Sequence, residues 1–215
     1  ADVSGVPICV HGMLPGEEGV VEAHKRKGVY VGTLKELAVA SPSRKNPDEL
    51  HYLSCSPWQV MEYPVQIEWK QRLLDELFSY YDEVPNITVC PAEHFYGYRT
   101  KVEFSFCDRE GETPIPLSLA FHVRGGGSAR VALPEGCLLV SERMNAAALA
   151  IVSLLRERGY ASRDLKTLVI RESKHDGSLL AVLFVTMDEM EEFDPSTIPG
   201  LSGMLVFHSD RRSPA

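Results

Sequence analysis

No long apolar run is present. The longest mainly apolar stretch, residues 146–155, is about half of what spans a bilayer, and no basic-then-apolar leader opens the chain at Ala1. Clustered cysteines are also missing: Cys9, Cys55, Cys90, Cys107 and Cys137 are odd in number, and no two lie within fifteen residues of each other. That excludes a disulfide framework, leaves no zinc site expected by spacing, and fits small buried thiols in a reducing compartment. A basic excess is lacking too, since 22 Lys and Arg stand against 30 Asp and Glu, a net charge of −8. The balance gives no encouragement to a bulk nucleic-acid or membrane partner. No solenoid repeat and no low-complexity tract occur. The expected location is cytoplasmic. What is present is an ordinary globular composition, 44% hydrophobic and 24% charged over 215 residues, enough for one large or two small domains.

Residues 1–47 read as β structure, with short runs at 6–11, 19–24 and 28–39 broken by Pro7, Pro15, Gly16, Gly28 and Gly32. A small barrel is expected there. The segment 41–49 carries turn formers and charge without apolar periodicity, which predicts a linker and a boundary after Pro47. Beyond it, Ile67, Leu73, Leu74, Leu77 and Phe78 recur at helical spacing within 65–81. Residues 101–106 alternate, with Val102, Phe104 and Phe106 on one face, and 117–123 offers a partner strand across a loop at 108–116. A second helix is expected at 144–158, capped by Ser141 and stopped by Gly159. Strands at 167–172 and 179–186 flank the turn Lys174-His-Asp-Gly177, and a last strand lies at 204–208. The fold class is therefore α+β, a barrel over 1–47 followed by a mixed domain of hairpins and two helices over 48–215. The acidic cluster 188–194 reads as a solvated loop.

Few features point to a catalytic centre. Gly125-Gly-Gly127 lacks the spacing of a dinucleotide fingerprint or a phosphate loop and reads as a hairpin tip. A nucleophile pair of Cys107 with His122 would need the fold to assemble it. The more informative stretch is Phe95-Tyr-Gly-Tyr-Arg-Thr-Lys101, with Phe121, His122 and Arg124 on the paired strand. It interleaves cations with rings, a surface suited to single-stranded RNA because rings stack on unpaired bases and cations take phosphates. The alternative is that Phe104, Phe106 and Phe121 are hairpin core and the cations only solubilise. Residue types leave both open.

Tyr98-Arg-Thr-Lys-Val-Glu-Phe-Ser-Phe106, followed by Leu119-Ala-Phe-His122, Cys137-Leu-Leu and Asn145, resembles the central domain of the RNA uracil-5-methyltransferase family. Tyr63-Pro-Val-Gln66 with Trp69 and Lys70 resembles the helix that opens that domain. Gly12-Met-Leu-Pro-Gly-Glu17, with Ser41-Pro-Ser-Arg44 and Pro47, resembles the TRAM domain, an OB-like RNA-binding barrel. The match runs in order along nearly the whole chain.

The resemblance implies a three-part enzyme acting on ribosomal or transfer RNA to make 5-methyluridine. A C-terminal Rossmann-like domain of the family binds S-adenosylmethionine and carries the cysteine that attacks carbon 6 of a flipped-out uracil. That domain is expected to lie outside this chain, which is then inactive alone, with no catalytic and no cofactor-binding residue of its own. RNA contact is expected from Tyr98, Arg99, Lys101, Phe121, His122 and Arg124. Many members hold a four-iron cluster on four cysteines. Here Cys137 matches the distant one and only Cys55 remains of the other three, so an iron–sulfur cluster is not expected and both cysteines read as relics. A stand-alone RNA-binding or adaptor protein is the alternative, and an iron–sulfur protein a weaker third. Residues 1–47 hold six basic and five acidic side chains, and 95–130 five and four, so each segment is +1 and the remainder carries −10. RNA contact would then depend on placed cations rather than on a basic field.

Overall fold

The computed structural model describes residues 2, 3, 5–26, 28–81, 86–125 and 127–210, with side chains from residue 5 onward except that of Arg26. The tip glycine Gly126 and the terminal residues 211–215 lie outside them. The chain divides into two compact units, Ala1–Glu93 and His94–Ala215.

In the first unit, strands β1 (Asp2–Val3), β2 (Val6–His11), β3 (Glu18–Arg26) and β4 (Val29–Val39) form one sheet in the order β1-β2-β4-β3. β3 and β4 pair antiparallel and β2 runs parallel to β4. The expected barrel is corrected: among the described residues β1 and β3 stay as the two edges, so the sheet is open. The segment after β4 is not a linker. Arg44 bridges to Met61 and Lys45 N–H donates to Val60 O at 2.8 Å. A one-turn helix α1 (Tyr52–Cys55) and a 3-10 turn at Pro57–Val60 precede helix α2 (Tyr63–Phe78). Pro64 sits in the first turn of α2, where its missing N–H costs no hydrogen bond. Residues 86–93 run back along α2. Gln71 accepts from Val89 N and donates to Ile87 O, both at 2.8 Å, and Tyr63 OH accepts from Ala92 N at 2.6 Å. These bonds carry the first unit well past the boundary expected after Pro47.

The second unit is a six-stranded sheet with one long helix. Strands β5 (Lys101–Glu110), β6 (Thr113–His122), β7 (Arg130–Ala132), β8 (Leu165–Glu172), β9 (Leu179–Val185) and β10 (Leu201–His208) lie in the order β10-β9-β8-β5-β6-β7. All neighbours are antiparallel except β9 and β10. The expected 108–116 loop is much shorter, because β5 and β6 continue to a tight turn at Gly111 (φ 61). Pro114 and Pro116 survive inside β6 because the outer neighbour β7 pairs only with Ala120–His122, so no ladder bond is lost.

Helix α3 (Glu142–Glu157) covers one sheet face. Met144, Ala147, Ala148, Ile151, Val152 and Leu155 are buried, a stripe at helical spacing. Ser141 Oγ accepts from Met144 N at 3.2 Å, and Gly159 (φ 77) ends the helix with Tyr160 N–H returning to Leu155 O at 3.0 Å. Arg156 ties the helix to β6 through Leu117 O at 2.5 Å. Phe104, Phe106, Leu119, Leu168, Ile170 and Leu183 complete the core without measurable exposure. No helix among the described residues is long and apolar enough to cross a membrane.

Candidate nucleic-acid interface

The stretch that enters β5 is pinned by its backbone. Gly97 and Arg99 donate to Leu138 O and Leu139 O, each at 2.9 Å, which leaves the Tyr98 side chain half exposed and Arg99 at the surface. Lys101 opens β5, and the register places it directly opposite Arg171 of β8. Two cations in one cross-strand pair repel, and an anion between them would relieve the repulsion. Lys101 Nζ meets Glu103 Oε1 at 2.5 Å, and Glu172 is shared by Lys174 at 3.2 Å and Arg143 at 3.8 Å. Lys174 also donates to Gly97 O at 3.4 Å. The β8–β9 turn and the first turn of α3 thus bring Lys174 and Arg143 to the rim that holds Arg99, Lys101 and Arg171. Lys101 is paired with Glu103, and Arg143 and Lys174 share Glu172.

The strand alternation that buries Val102, Phe104 and Phe106 against α3 turns Lys101, Glu103 and Ser105 the other way. Cross-strand pairing extends this second face through Arg171 and Val169 to Leu180 and Val182, and then to Phe184 and Phe207. Phe184 and Phe207 stack at 5.9 Å with 27° between planes, and Phe207 is 48% exposed. Sequence reasoning missed Arg171, Lys174, Arg143 and this ring pair. Alternation around Val169 marked the face of Arg171, but only the register sets it against Lys101.

Two expected contacts change. Phe121 is half-buried and stacks on the fully buried Phe104 at 5.5 Å, so its ring packs against the core. His122 shares the outer face, where its Nε2 lies 3.2 Å from Ser105 Oγ and it pairs across strands with Arg130. Burial and the Arg130 charge push its pKa below the ordinary value. Arg124 lies exposed in the turn after β6. The Cys107–His122 nucleophile pair is not assembled. Cys107 is buried opposite Ser118, and burial raises its thiol pKa, the reverse of what an attacking thiolate needs.

In the first unit residues of the Gly12–Glu17 and Ser41–Arg44 segments converge. Arg44 donates to Glu17 from Nε at 2.5 Å and Nη2 at 2.7 Å and to Gly12 O at 2.6 Å, while Glu17 also accepts from Leu14 N and Ser41 N. The fully covered Glu17 is held down to a pKa of about 2, chiefly by its hydrogen bonds from Arg44. Nearby, Glu49, His51 and Cys55 place one donor atom each within 4.8 Å of one another. This set does not fit a cluster held by four thiolates, because the partners of Cys55 in its unit are a carboxylate and an imidazole.

No family model matches this chain. It is 26% identical over 194 residues to a tRNA (uracil(54)-C(5))-methyltransferase of Schizosaccharomyces pombe, covering 84% of this chain and 36% of that protein. To an uncharacterized RNA methyltransferase of Halalkalibacterium halodurans it is 25% identical over 203 residues, 88% of this chain and 43% of the relative. Among solved structures, the fold matches Pyrococcus abyssi tRNA (uracil-54, C5)-methyltransferase in complex with S-adenosyl-L-homocysteine. The TM-score is 0.68 at 19% identity, over 97% of this chain and 48% of that one. The chain therefore spans less than half the length of these proteins. The expectation that the cofactor-binding part lies outside this chain is not supported by a match to a cofactor-product complex along 97% of its length. The curated relatives of this chain are RNA methyltransferases, and its mixed α+β fold is one that such an enzyme contains.

Proposed function

We propose that this chain works in RNA (uracil-5-) methylation with S-adenosylmethionine as methyl donor, and that its second unit supplies part of the grip on a transfer RNA. The carrying observation is the Lys101–Arg171 pair on an exposed sheet face that also bears the Phe184–Phe207 stack. Arg99, Lys101, Arg171 and Lys174 suit phosphates, and the ring pair suits an unpaired base. The names of the relatives favour transfer RNA over ribosomal RNA. S-adenosylmethionine supplies an electrophilic methyl group. In the second unit the one parallel pair, β9 and β10, is joined through a 3-10 turn rather than a helix, and no described residue is assigned to the cofactor.

Titration of an unmodified transfer-RNA transcript against the chain at several salt concentrations tests this. Lys101→Glu and Arg171→Glu should each weaken binding and flatten the log Kd against log salt slope by roughly one. Phe207→Ala should cost about 1–3 kcal/mol of binding if a base stacks there, whereas Phe121→Leu should leave the slope unchanged. Binding indifferent to salt and to both reversals overturns the interface. Incubation with methyl-labelled S-adenosylmethionine reads the reaction itself, and RNA binding without methyl transfer is the result an adaptor protein would give.

A further inference from the structure

We propose that Glu172 is a positioning residue for the cation rim of the second unit: its carboxylate holds Arg143 and Lys174 as one fixed pair, so that removing its negative charge weakens RNA binding. The inference rests on the reading of this rim as an RNA interface. Glu172 ends β8, next to Arg171, and its N–H donates to Thr100 O at 2.9 Å. Its side chain is 7% exposed, whereas those of Arg143 and Lys174 are each 54% exposed. Both carboxylate oxygens are used: Oε1 lies 3.8 Å from Arg143 Nη1, and Oε2 lies 3.2 Å from Lys174 Nζ. One covered anion thus sets two half-exposed cations side by side.

Each cation is also fixed from a second direction. Lys174 Nζ donates to Gly97 O at 3.4 Å, which ties it to the segment that carries Tyr98 and Arg99. Arg143 lies against the β8–β9 turn and the residue before β10. A Cβ built on Gly177 would stand 2.7 Å from Arg143 Nη1, and one on Gly200 3.5 Å from Nη2, so the two glycines leave the room that the guanidinium occupies. A carboxylate in such a place acts on a polyanion in two opposed ways. Its charge repels phosphates, while its hold on the cations removes the entropy cost of ordering two long side chains at the moment of binding. Burial decides between them. The covered Glu172 charge faces two cations, so the trio keeps a net positive charge, and an arriving phosphate meets the exposed halves of Arg143 and Lys174. Glu103 is the contrasting case: its side chain is 52% exposed and meets Lys101 Nζ at 2.5 Å, where it competes with phosphate for that cation.

The test titrates the full chain with an unmodified transfer-RNA transcript at several salt concentrations, comparing Glu172→Gln with Glu103→Gln, two variants that remove the same charge. Glu172→Gln should bind roughly 3–10-fold more weakly than the wild type. Glu103→Gln should bind at least as tightly as the wild type, and Glu172→Asp should recover most of the loss. With Arg143→Ala and Lys174→Ala both present, Glu172→Gln should add nothing, because no cation is left for it to place. The dichroism midpoint of each variant in denaturant separates loss of fold from loss of binding. If Glu172→Gln fails to fold, the surface variants Arg143→Ala and Lys174→Ala decide, and unchanged affinity in both overturns the proposal. Tighter binding by Glu172→Gln, or an equal loss in the background without the two cations, overturns it while Lys101→Glu and Arg171→Glu still weaken binding. Indifference to those two reversals is instead the failure of the interface, and the proposal falls with it.

Discussion

The two units are held together by different physics. Among the described residues the second unit buries 25 apolar side chains, from Val102 to Ile198, under and around α3, whereas the first buries three. In the first unit the burden falls on polar groups: Arg44 clamped on Glu17, Gln71 and Tyr63 gathering residues 86–93, and Gln59 clamping Glu49. An apolar core resists pH and tolerates volume-conserving change, while a buried ion pair is costly to break from either side because its partner stays buried and uncompensated. The comparison teaches that the first unit should be the acid-sensitive one.

Both tryptophans, Trp58 and Trp69, lie in the first unit, so their emission reports on it, while far-UV circular dichroism reports on both. Phe104→Ala should have the largest effect, about 3–5 kcal/mol, seen as a lower dichroism midpoint in denaturant with a smaller change in tryptophan emission. An equal fall in both signals would break the distinction. Glu17→Gln should cost about 3 kcal/mol, seen first in tryptophan emission, because the Arg44 charge is left without its partner. Acid titration should follow the same order. Glu17 is held at about 2 against an ordinary 4.5, so its contribution is complete above pH 4.5 and disappears as pH falls toward 2. Tryptophan emission should therefore change over that range, and Glu17→Gln should remove most of the pH dependence. Ser141→Ala, which removes the cap of α3, should cost about 1 kcal/mol in the second unit and leave tryptophan emission unmoved.

Where the controlling interactions are close in sequence, the fold could be read in advance. Helix α3 was expected at 144–158 and found at Glu142–Glu157, because Ser141, the apolar stripe and Gly159 act within a turn or two of the chain. Alternation placed Phe104 and Phe106 on the face opposite Lys101, and packing made that face the core. The barrel closure and the Pro47 boundary failed for the opposite reason. Whether an edge strand finds a partner, and whether residues 41–61 and 86–93 pack or dangle, depends on hydrogen bonds to segments far along the chain. The β5–β6 loop expected at 108–116 is shorter because an outer side without a ladder partner admits Pro114 and Pro116 into β6.

For the candidate interface, residue types by themselves determined that cations and rings interleave near residue 98 and that α3 is amphipathic and capped. Tertiary structure decided which of those groups face outward. It turned Phe121 onto Phe104, paired His122 with Arg130, set Arg171 against Lys101, and brought Glu49, His51 and Cys55 within 4.8 Å of one another. Periodicity and capping are local and can be read from spacing, but register, dielectric environment and the convergence of donors are properties of packed neighbours, which exist only once the chain has folded.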